Sequence, residues 1–189
     1  GDCGAAREVA KYDEVEAIDF VEIDELVVKA CKEHLSEVSG NLSDPQVNYH
    51  FQDGVAFVKE REAEYDVVIV DSSDPIGPAE QLFDISFYRN IHRSLKADGL
   101  MVCQSQSPAF HAEVCRQTYE RINQLFPFTK MYTATVPTYP GGLWSFTLGS
   151  KKYDRQIDAE RFNKDTRYVN IDILQHCFHL PQFVKENLR

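Results

Sequence analysis

Apolar and polar positions follow two different periods along this 189-residue chain, and the two periods alternate. Short apolar runs predict strands at residues 15–23, 47–51, 65–70 and 100–104. Apolar positions at helical spacing predict helices at residues 5–12, 25–38, 55–61, 87–96 and 110–125, with a turn at 39–45. Strands that alternate with helices indicate a Rossmann-like, doubly wound, mostly parallel sheet.

Two segments complete this prediction. Residues 128–136 and 143–148 suggest an antiparallel pair that closes the C-terminal edge of the sheet. Residues 65–70 (YDVVIV) are rich in β-branched side chains, which is typical of a strand buried on both faces. The sequence Asp98-Gly99 is expected to end the preceding helix. We expect one catalytic domain over residues 1–189, in which 151–189 form a helical tail used for packing or partner contacts.

Composition narrows the class of protein. The chain carries 20 Lys and Arg against 30 Asp and Glu, a formal net charge of −10, which disfavours nucleic acid and attracts small cations. No apolar run approaches the roughly 20 residues that a membrane helix needs. The five cysteines are widely spaced and form no paired motif, so we expect reduced, packed thiols and a cytoplasmic location.

Polar side chains stand where the predicted strands end. In parallel α/β sheets, ligands bind beyond the carboxyl ends of the strands. The strongest signal is the loop at residues 71–74, because two carboxylates two residues apart can converge on one cation. One carboxylate could also accept the proton of an attacking amine. A polar turn would explain the loop equally simply, but a turn does not require two acids. The other residues at predicted strand ends are Glu22, Asp24, Asp53, Gly54 and Gln104.

Several of these positions admit two interpretations. Residues 1–9 (GDCGAAREV) resemble half of a glycine-rich turn, where Asp2 would favour a cation or hydroxyl, or simply an ordinary helix start. Glu22 could accept ribose hydroxyls, which we favour, or could simply be a solvated strand end or a helix cap. Asp24 is better explained as a helix cap, and Asp53 as a cap or an adenine contact.

Tyr139 lies in the turn sequence PTYPGG, where it could form an apolar wall for an alkyl diamine or be incidental to a hairpin. His176, Cys177 and His179 resemble a metal cluster but lack a fourth ligand, so no metal is expected there. His50 and His92 lie in a predicted strand and helix, and we expect structural roles for both.

Residues 71–80 (DSSDPIGPAE) resemble the signature loop of the spermidine synthases, the polyamine aminopropyltransferases. The resemblance extends in the right order over nearly the whole chain. It includes residues 1–9, VEID at 21–24, DG at 53–54, the strand end at Gln104 and PTYPGGLW at 137–144.

This resemblance implies a class I methyltransferase-like fold and transfer of an aminopropyl group from decarboxylated S-adenosylmethionine, a co-substrate, to putrescine. It implies no prosthetic group and no metal. Asp71 would be the general base and would touch the aminopropyl ammonium. Amine contacts would come from Asp71, Asp74, Tyr139 and Gln104. The donor would be held by Asp2 at its aminopropyl end, Glu22 at the ribose, and Asp53, Gly54 and Pro78 around the adenine.

The chain departs from the family pattern in two places. Cys3 stands where the family has glycine, and its side chain is expected to weaken donor binding. The family's small N-terminal β domain and first Rossmann strand are absent, so we expect a truncated chain whose full-length form is a homodimer or homotetramer. The alternatives are a putrescine N-methyltransferase and a non-catalytic, nucleoside-binding paralogue or fragment.

Overall fold

The computed structural model describes residues 1–40, 46–154, 162 and 165–189. Within the single domain that the sequence predicts, the described residues form two compact units, Gly1–Glu60 and Arg61–Arg189. Both units combine strands and helices, which confirms the α/β class. The strands are divided between two sheets, one in each unit, where the sequence predicted one sheet.

The first unit is a small two-stranded parallel sheet with helices on its connections. Strand β1 (Ile18–Glu22) pairs with β2 (Val47–Phe51), and Glu22 is opposite Phe51, so the carboxyl ends of both strands lie at one edge. The helices are α1 (Gly4–Val9), α2 (Glu25–His34), α3 (Ser36–Ser39) and α4 (Gly54–Lys59).

The helix predicted at residues 25–38 is divided at Leu35. This residue has φ −128° and ψ 40°, which lie outside the helical region, so α2 ends there and α3 begins after it. Of the turn predicted at residues 39–45, residues 41–45 lie outside the described residues.

The second unit contains a four-stranded mixed sheet. Its strands are β3 (Tyr65–Val70), β4 (Leu95–Gln104), β5 (Phe128–Thr135) and β6 (Leu143–Ser150), in the order β3-β4-β6-β5. Strands β3 and β4 are parallel, whereas β6 is antiparallel to both β4 and β5, which confirms the predicted antiparallel pair at the edge. A 3-10 helix (Gly77–Phe83) and helices α5 (Ile85–Ser94), α6 (Ala112–Asn123), α7 (Ile171–His176) and α8 (Gln182–Asn187) complete the unit.

Two details of the predicted strands are wrong. Strand β3 has the predicted bounds, but Val67 and Ile69 on one of its faces are 49% and 45% exposed, so the strand is not buried on both faces. Strand β4 begins at Leu95 and includes Asp98 and Gly99, which were predicted to end the helix. A Cβ on Gly99 would lie 3.1 Å from the Tyr65 carbonyl oxygen, so a side chain at this irregular stretch of the pairing would be crowded.

The C-terminal tail packs on the sheet. Val184 of α8 is fully buried with Cys115 of α6 and Met131 of β5. The edge strand β5 donates backbone hydrogen bonds to this tail, from Thr133 to the Cys177 carbonyl and from Thr135 to the Tyr168 hydroxyl. These contacts agree with the packing role predicted for the tail. All five cysteines are free and four of them are buried, as predicted.

Candidate functional site

The first turn of the chain places a carboxylate beside the start of a helix. Asp2 is exposed, and its Oδ1 accepts a hydrogen bond from the Gly4 backbone N–H at 2.8 Å. Cys3 adopts φ 66°, a left-handed conformation that disfavours side chains, and is 1% exposed. The thiol is therefore buried in the protein, and the weaker donor binding expected from this side chain stays a prediction.

Glu22 lies at the carboxyl end of β1, next to this first turn. Its carboxylate accepts a hydrogen bond from the Asp24 N–H at 3.0 Å. Burial raises the pKa of Glu22, whereas the backbone N–H groups of Asp24 and Ile23, which donate to the carboxylate, lower it. An ionised carboxylate in this position can accept two hydroxyl hydrogen bonds at once.

Asp24 and Asp53 cap the two helices that follow the strands. Asp24 Oδ1 accepts from the Leu26 N–H at 2.8 Å, and Asp53 Oδ1 accepts from the Val55 N–H at 2.9 Å. The capping interpretation is confirmed for both. Gln52, next to Asp53, donates its backbone N–H to the Glu22 carbonyl at 3.0 Å, so both strand ends are adjacent. A Cβ at Gly54 would have no neighbour within 4 Å, which leaves this helix start open.

In the second unit, the acidic loop directly follows β3. Asp71 and Asp74 are both exposed. The loop turns tightly after the second acid, because the Ile76 N–H donates to the Asp74 carbonyl at 2.7 Å. Pro78 follows as an exposed residue in the first turn of the 3-10 helix.

Two glutamines connect the end of β4 to this loop. Gln104 donates from Nε2 to the Ser72 carbonyl at 3.1 Å, and Gln106 donates from Nε2 to Asp74 Oδ1 at 2.9 Å. Gln104 Oε1 in turn accepts from the indole N–H of Trp144 at 3.2 Å. The strand end, the acidic loop and the β6 aromatic residue therefore form one hydrogen-bonded network.

Asp74 borders a pocket of about 430 Å³. Its aromatic wall includes Tyr139 and Trp144, whose ring centroids are 4.2 Å apart. Among the described residues no cation lies within ion-pair distance of Asp74, so its negative charge faces the pocket without a counter-charge. The remaining lining residues are Ser107, Phe110, His111 and Pro140.

Sequence reasoning identified Asp74 and Tyr139 of this pocket, and Gln104 of the network beside it, but missed Ser107, Phe110 and His111. These three residues all follow Gln104 closely. The signal was present, since the polar run at residues 104–107 continues past the end of β4. When several polar residues follow a buried strand, all of them are therefore candidates for the site, and not only the first.

The histidines set aside earlier have ordinary neighbours. His50 Nε2 lies 3.1 Å from Asp19 Oδ1, and the ring of His92 packs on that of Phe126. His176 Nδ1 lies 2.8 Å from the Asp172 carbonyl oxygen, within its own helix. Across the part of the chain that the structure describes, no group of three potential ligands is placed to hold a metal ion.

Comparison with known proteins decides the family. The spermine/spermidine synthase domain matches residues 1–160. This chain belongs to that family. A polyamine aminopropyltransferase of Moorella thermoacetica is 48% identical over 190 residues, covering 100% of this chain and 67% of the relative. Aminopropyl transfer is the reaction class that the family and this relative's name carry.

Solved structures agree in fold. A spermidine synthase in complex with the transition-state analogue AdoDATO superposes with a TM-score of 0.94 at 35% identity, covering 99% of this chain and 66% of that one. The spermidine synthase of Thermotoga maritima gives 0.92 at 34% identity, with 99% and 65% covered. The chain thus spans about two thirds of the length of these relatives. None of the helices in the described residues is long and apolar enough to cross a membrane.

Proposed function

We propose that this protein transfers the aminopropyl group of decarboxylated S-adenosylmethionine to putrescine, giving spermidine and methylthioadenosine. The observation that carries the proposal is the pocket beside the acidic loop. Asp74 brings an uncompensated negative charge to a space walled by Tyr139 and Trp144. A diamine has the complementary form, a charged nitrogen on a flexible apolar chain.

The resemblance to the family assigns the roles in the second unit. Asp74 and Tyr139, which line the pocket, contact the diamine. Gln104, at the end of β4, is the third amine contact. Asp71 is the general base and also touches the aminopropyl ammonium of the donor. A carboxylate suits both tasks, because it can accept a proton from an ammonium and attract a second one. The spermidine synthase solved with AdoDATO, at 35% identity, supports a site of this kind.

The roles in the first unit concern the donor. Glu22 accepts the ribose hydroxyls, because a carboxylate at the end of this strand can take two hydroxyl hydrogen bonds at once. Asp2 holds the aminopropyl end. Asp53 and Gly54 border the adenine. Since Oδ1 of Asp53 is used as a cap, its other carboxylate oxygen would be the adenine contact.

The protein has two tasks in the reaction: it aligns the amine with the donor, and it removes one proton from the amine. The amine nitrogen, after losing a proton to Asp71, attacks the aminopropyl carbon bound to sulfur. The N–C bond forms, the C–S bond breaks, and sulfur keeps the electron pair as a neutral thioether. The positive sulfonium already activates this leaving group, so the step needs no metal and no prosthetic group.

Product analysis with two donors tests the proposal. The intact protein is incubated with putrescine and either decarboxylated or ordinary S-adenosylmethionine. We expect spermidine and methylthioadenosine with the decarboxylated donor, and no methylputrescine. Methylputrescine as the sole product would instead assign a putrescine N-methyltransferase. Cadaverine, agmatine and spermidine in place of putrescine define which acceptor the pocket prefers.

Thermal denaturation with methylthioadenosine separates the remaining alternative. An active enzyme is stabilised by this product and also turns over. Stabilisation without turnover by either donor would assign a nucleoside-binding protein without catalysis, and would contradict the proposal.

A further inference from the structure

Gln106 occupies a conformation and an environment that need an explanation. Its φ is 71°, in the left-handed region that is unfavourable for a residue with a side chain, and it is 1% exposed. Its backbone carbonyl accepts hydrogen bonds from the Ser145 N–H at 3.0 Å and from the Ser145 hydroxyl at 2.7 Å. These contacts hold the strained backbone in place, and strained residues of this kind often lie at functional sites.

The direction of the Gln106 amide is fixed by its neighbours. The indole N–H of Trp144 can only donate, so the Gln104 atom that it contacts must be the carbonyl oxygen Oε1. The Gln106 side-chain nitrogen lies 3.4 Å from that oxygen and 2.9 Å from Asp74 Oδ1. Both hydrogens of the Gln106 amide therefore have an acceptor. The opposite orientation would place its oxygen against two acceptors.

We propose that Gln106 is a positioning residue that sets the acceptor amine's affinity by orienting Asp74 with a neutral donor. This inference rests on the proposed function. A cationic side chain in the same place would also orient the carboxylate, but it would cancel the charge that attracts an ammonium group. The amide orients Asp74 and leaves its full negative charge for the substrate.

Within the acidic loop, Gln106 orients only Asp74, the proposed contact for the acceptor amine. Its amide contacts Asp74, whereas Gln104 contacts the Ser72 backbone. Loss of the Gln106 amide frees the Asp74 side chain to rotate within an exposed loop, and leaves the loop's backbone contact intact. The consequence falls on the Michaelis constant for the diamine, and leaves the donor's constant and the chemical step largely unaffected.

Gln106→Met tests the proposal in the intact protein, because methionine keeps the side-chain length and removes the donor. A hydrogen bond to a charged group contributes about 1.5–3 kcal/mol, so we expect the KM for putrescine to rise about tenfold or more. The kcat and the KM for decarboxylated S-adenosylmethionine should stay within about twofold. Gln124→Met, at an exposed glutamine after α6, is the matched control and should leave all three constants unchanged.

Gln106→Glu provides a second readout that a purely structural role would not give. It places two carboxyl groups at hydrogen-bond distance, so they share a proton until the pH is high enough to ionise both. The KM for putrescine in this variant should fall as the pH rises through that second ionisation, whereas the wild type lacks this transition. This arm remains informative if Gln106→Met does not fold, which thermal denaturation would show.

The outcomes separate the two proposals. A wild-type enzyme that makes spermidine, with an unchanged putrescine KM in Gln106→Met and no new pH transition in Gln106→Glu, would overturn the role of Gln106 alone. Equal rises in the KM of both substrates would also overturn it, because they indicate general damage. A wild-type protein that neither turns over nor binds putrescine by calorimetry would remove the proposed function and this inference together.

Discussion

The ring of Tyr139 lies against that of Trp144, with centroids 4.2 Å apart and an angle of 30° between the rings. Trp144 is at the same time hydrogen-bonded to Gln104, which holds the Ser72 carbonyl of the acidic loop. The position of Tyr139 is therefore connected to the loop through two side chains, Trp144 and Gln104, and two hydrogen bonds. The aromatic wall and the acidic loop form one arrangement, although they come from distant parts of the sequence.

Trp144→Phe should separate the two functions of this indole. Phenylalanine keeps a ring for Tyr139 but removes the N–H, while Gln104 Oε1 keeps the Gln106 backbone N–H as a donor at 3.1 Å. A lost hydrogen bond between neutral groups costs about 0.5–1.5 kcal/mol, so we expect slightly lower thermal stability and a several-fold higher KM for putrescine. Thermal denaturation and steady-state kinetics measure both effects. Unchanged values for both would show that the network does not position the loop.

Asp71→Asn should lower kcat by about 10² or more, the typical contribution of a positioned general base. The amide has nearly the same shape but cannot accept the proton of the attacking amine. The assay uses decarboxylated S-adenosylmethionine and putrescine at saturating concentrations. Asp66→Asn, at an exposed aspartate of β3, the strand that precedes Asp71, is the control and should keep full activity. A full rate in Asp71→Asn would exclude Asp71 as the base.

At Cys3 we expect a glycine variant to be more stable than an alanine variant, the reverse of the order usual within a helix. At φ 66° an L-residue is strained by about 1–2 kcal/mol, and both alanine and cysteine have this cost, whereas glycine does not. Cys3→Gly should therefore be about 1 kcal/mol more stable than Cys3→Ala, measured by chemical denaturation. A more stable alanine variant would contradict the left-handed conformation of this residue.

His92 predicts how stability depends on pH. Burial, and then the positive charge of Lys151, lower the pKa of its imidazole. As the pH falls below about 6.5, the usual histidine value, the unfolded chain binds this proton before the folded protein does. The free energy of unfolding should therefore decrease as the pH is lowered from 7 to 5, towards the lowered pKa.

The variant His92→Gln isolates this contribution. It removes the ionisation, so its free energy of unfolding should decline less over the same range in denaturant titrations. The carboxylates titrate mainly below this window, which limits their interference. Parallel pH curves for the wild type and His92→Gln would show that His92 does not contribute.

Local patterns were sufficient for much of this protein. The bounds of β2 and β3 are those that the apolar runs predict, and the caps at Asp24 and Asp53 follow from side chains that reach backbone groups two residues away. The acidic loop at residues 71–74 also follows from local order, because the apolar run of β3 ends where the sequence becomes polar. Each of these features depends on neighbours within a few residues, and such neighbours are visible in the sequence.

Other features depended on residues far apart in the chain. The exposure of Val67 and Ile69 depends on what packs over one face of β3, which a run of β-branched residues does not specify. Gln106 contacts Asp74, 32 residues away, and Trp144 contacts Gln104, 40 residues away. The sequence by itself determined which elements form and which carboxylates stand at their ends. Only the tertiary structure decided which amide orients Asp74 and which aromatic ring supports Tyr139, because folding alone brings those distant groups within hydrogen-bond and van der Waals range.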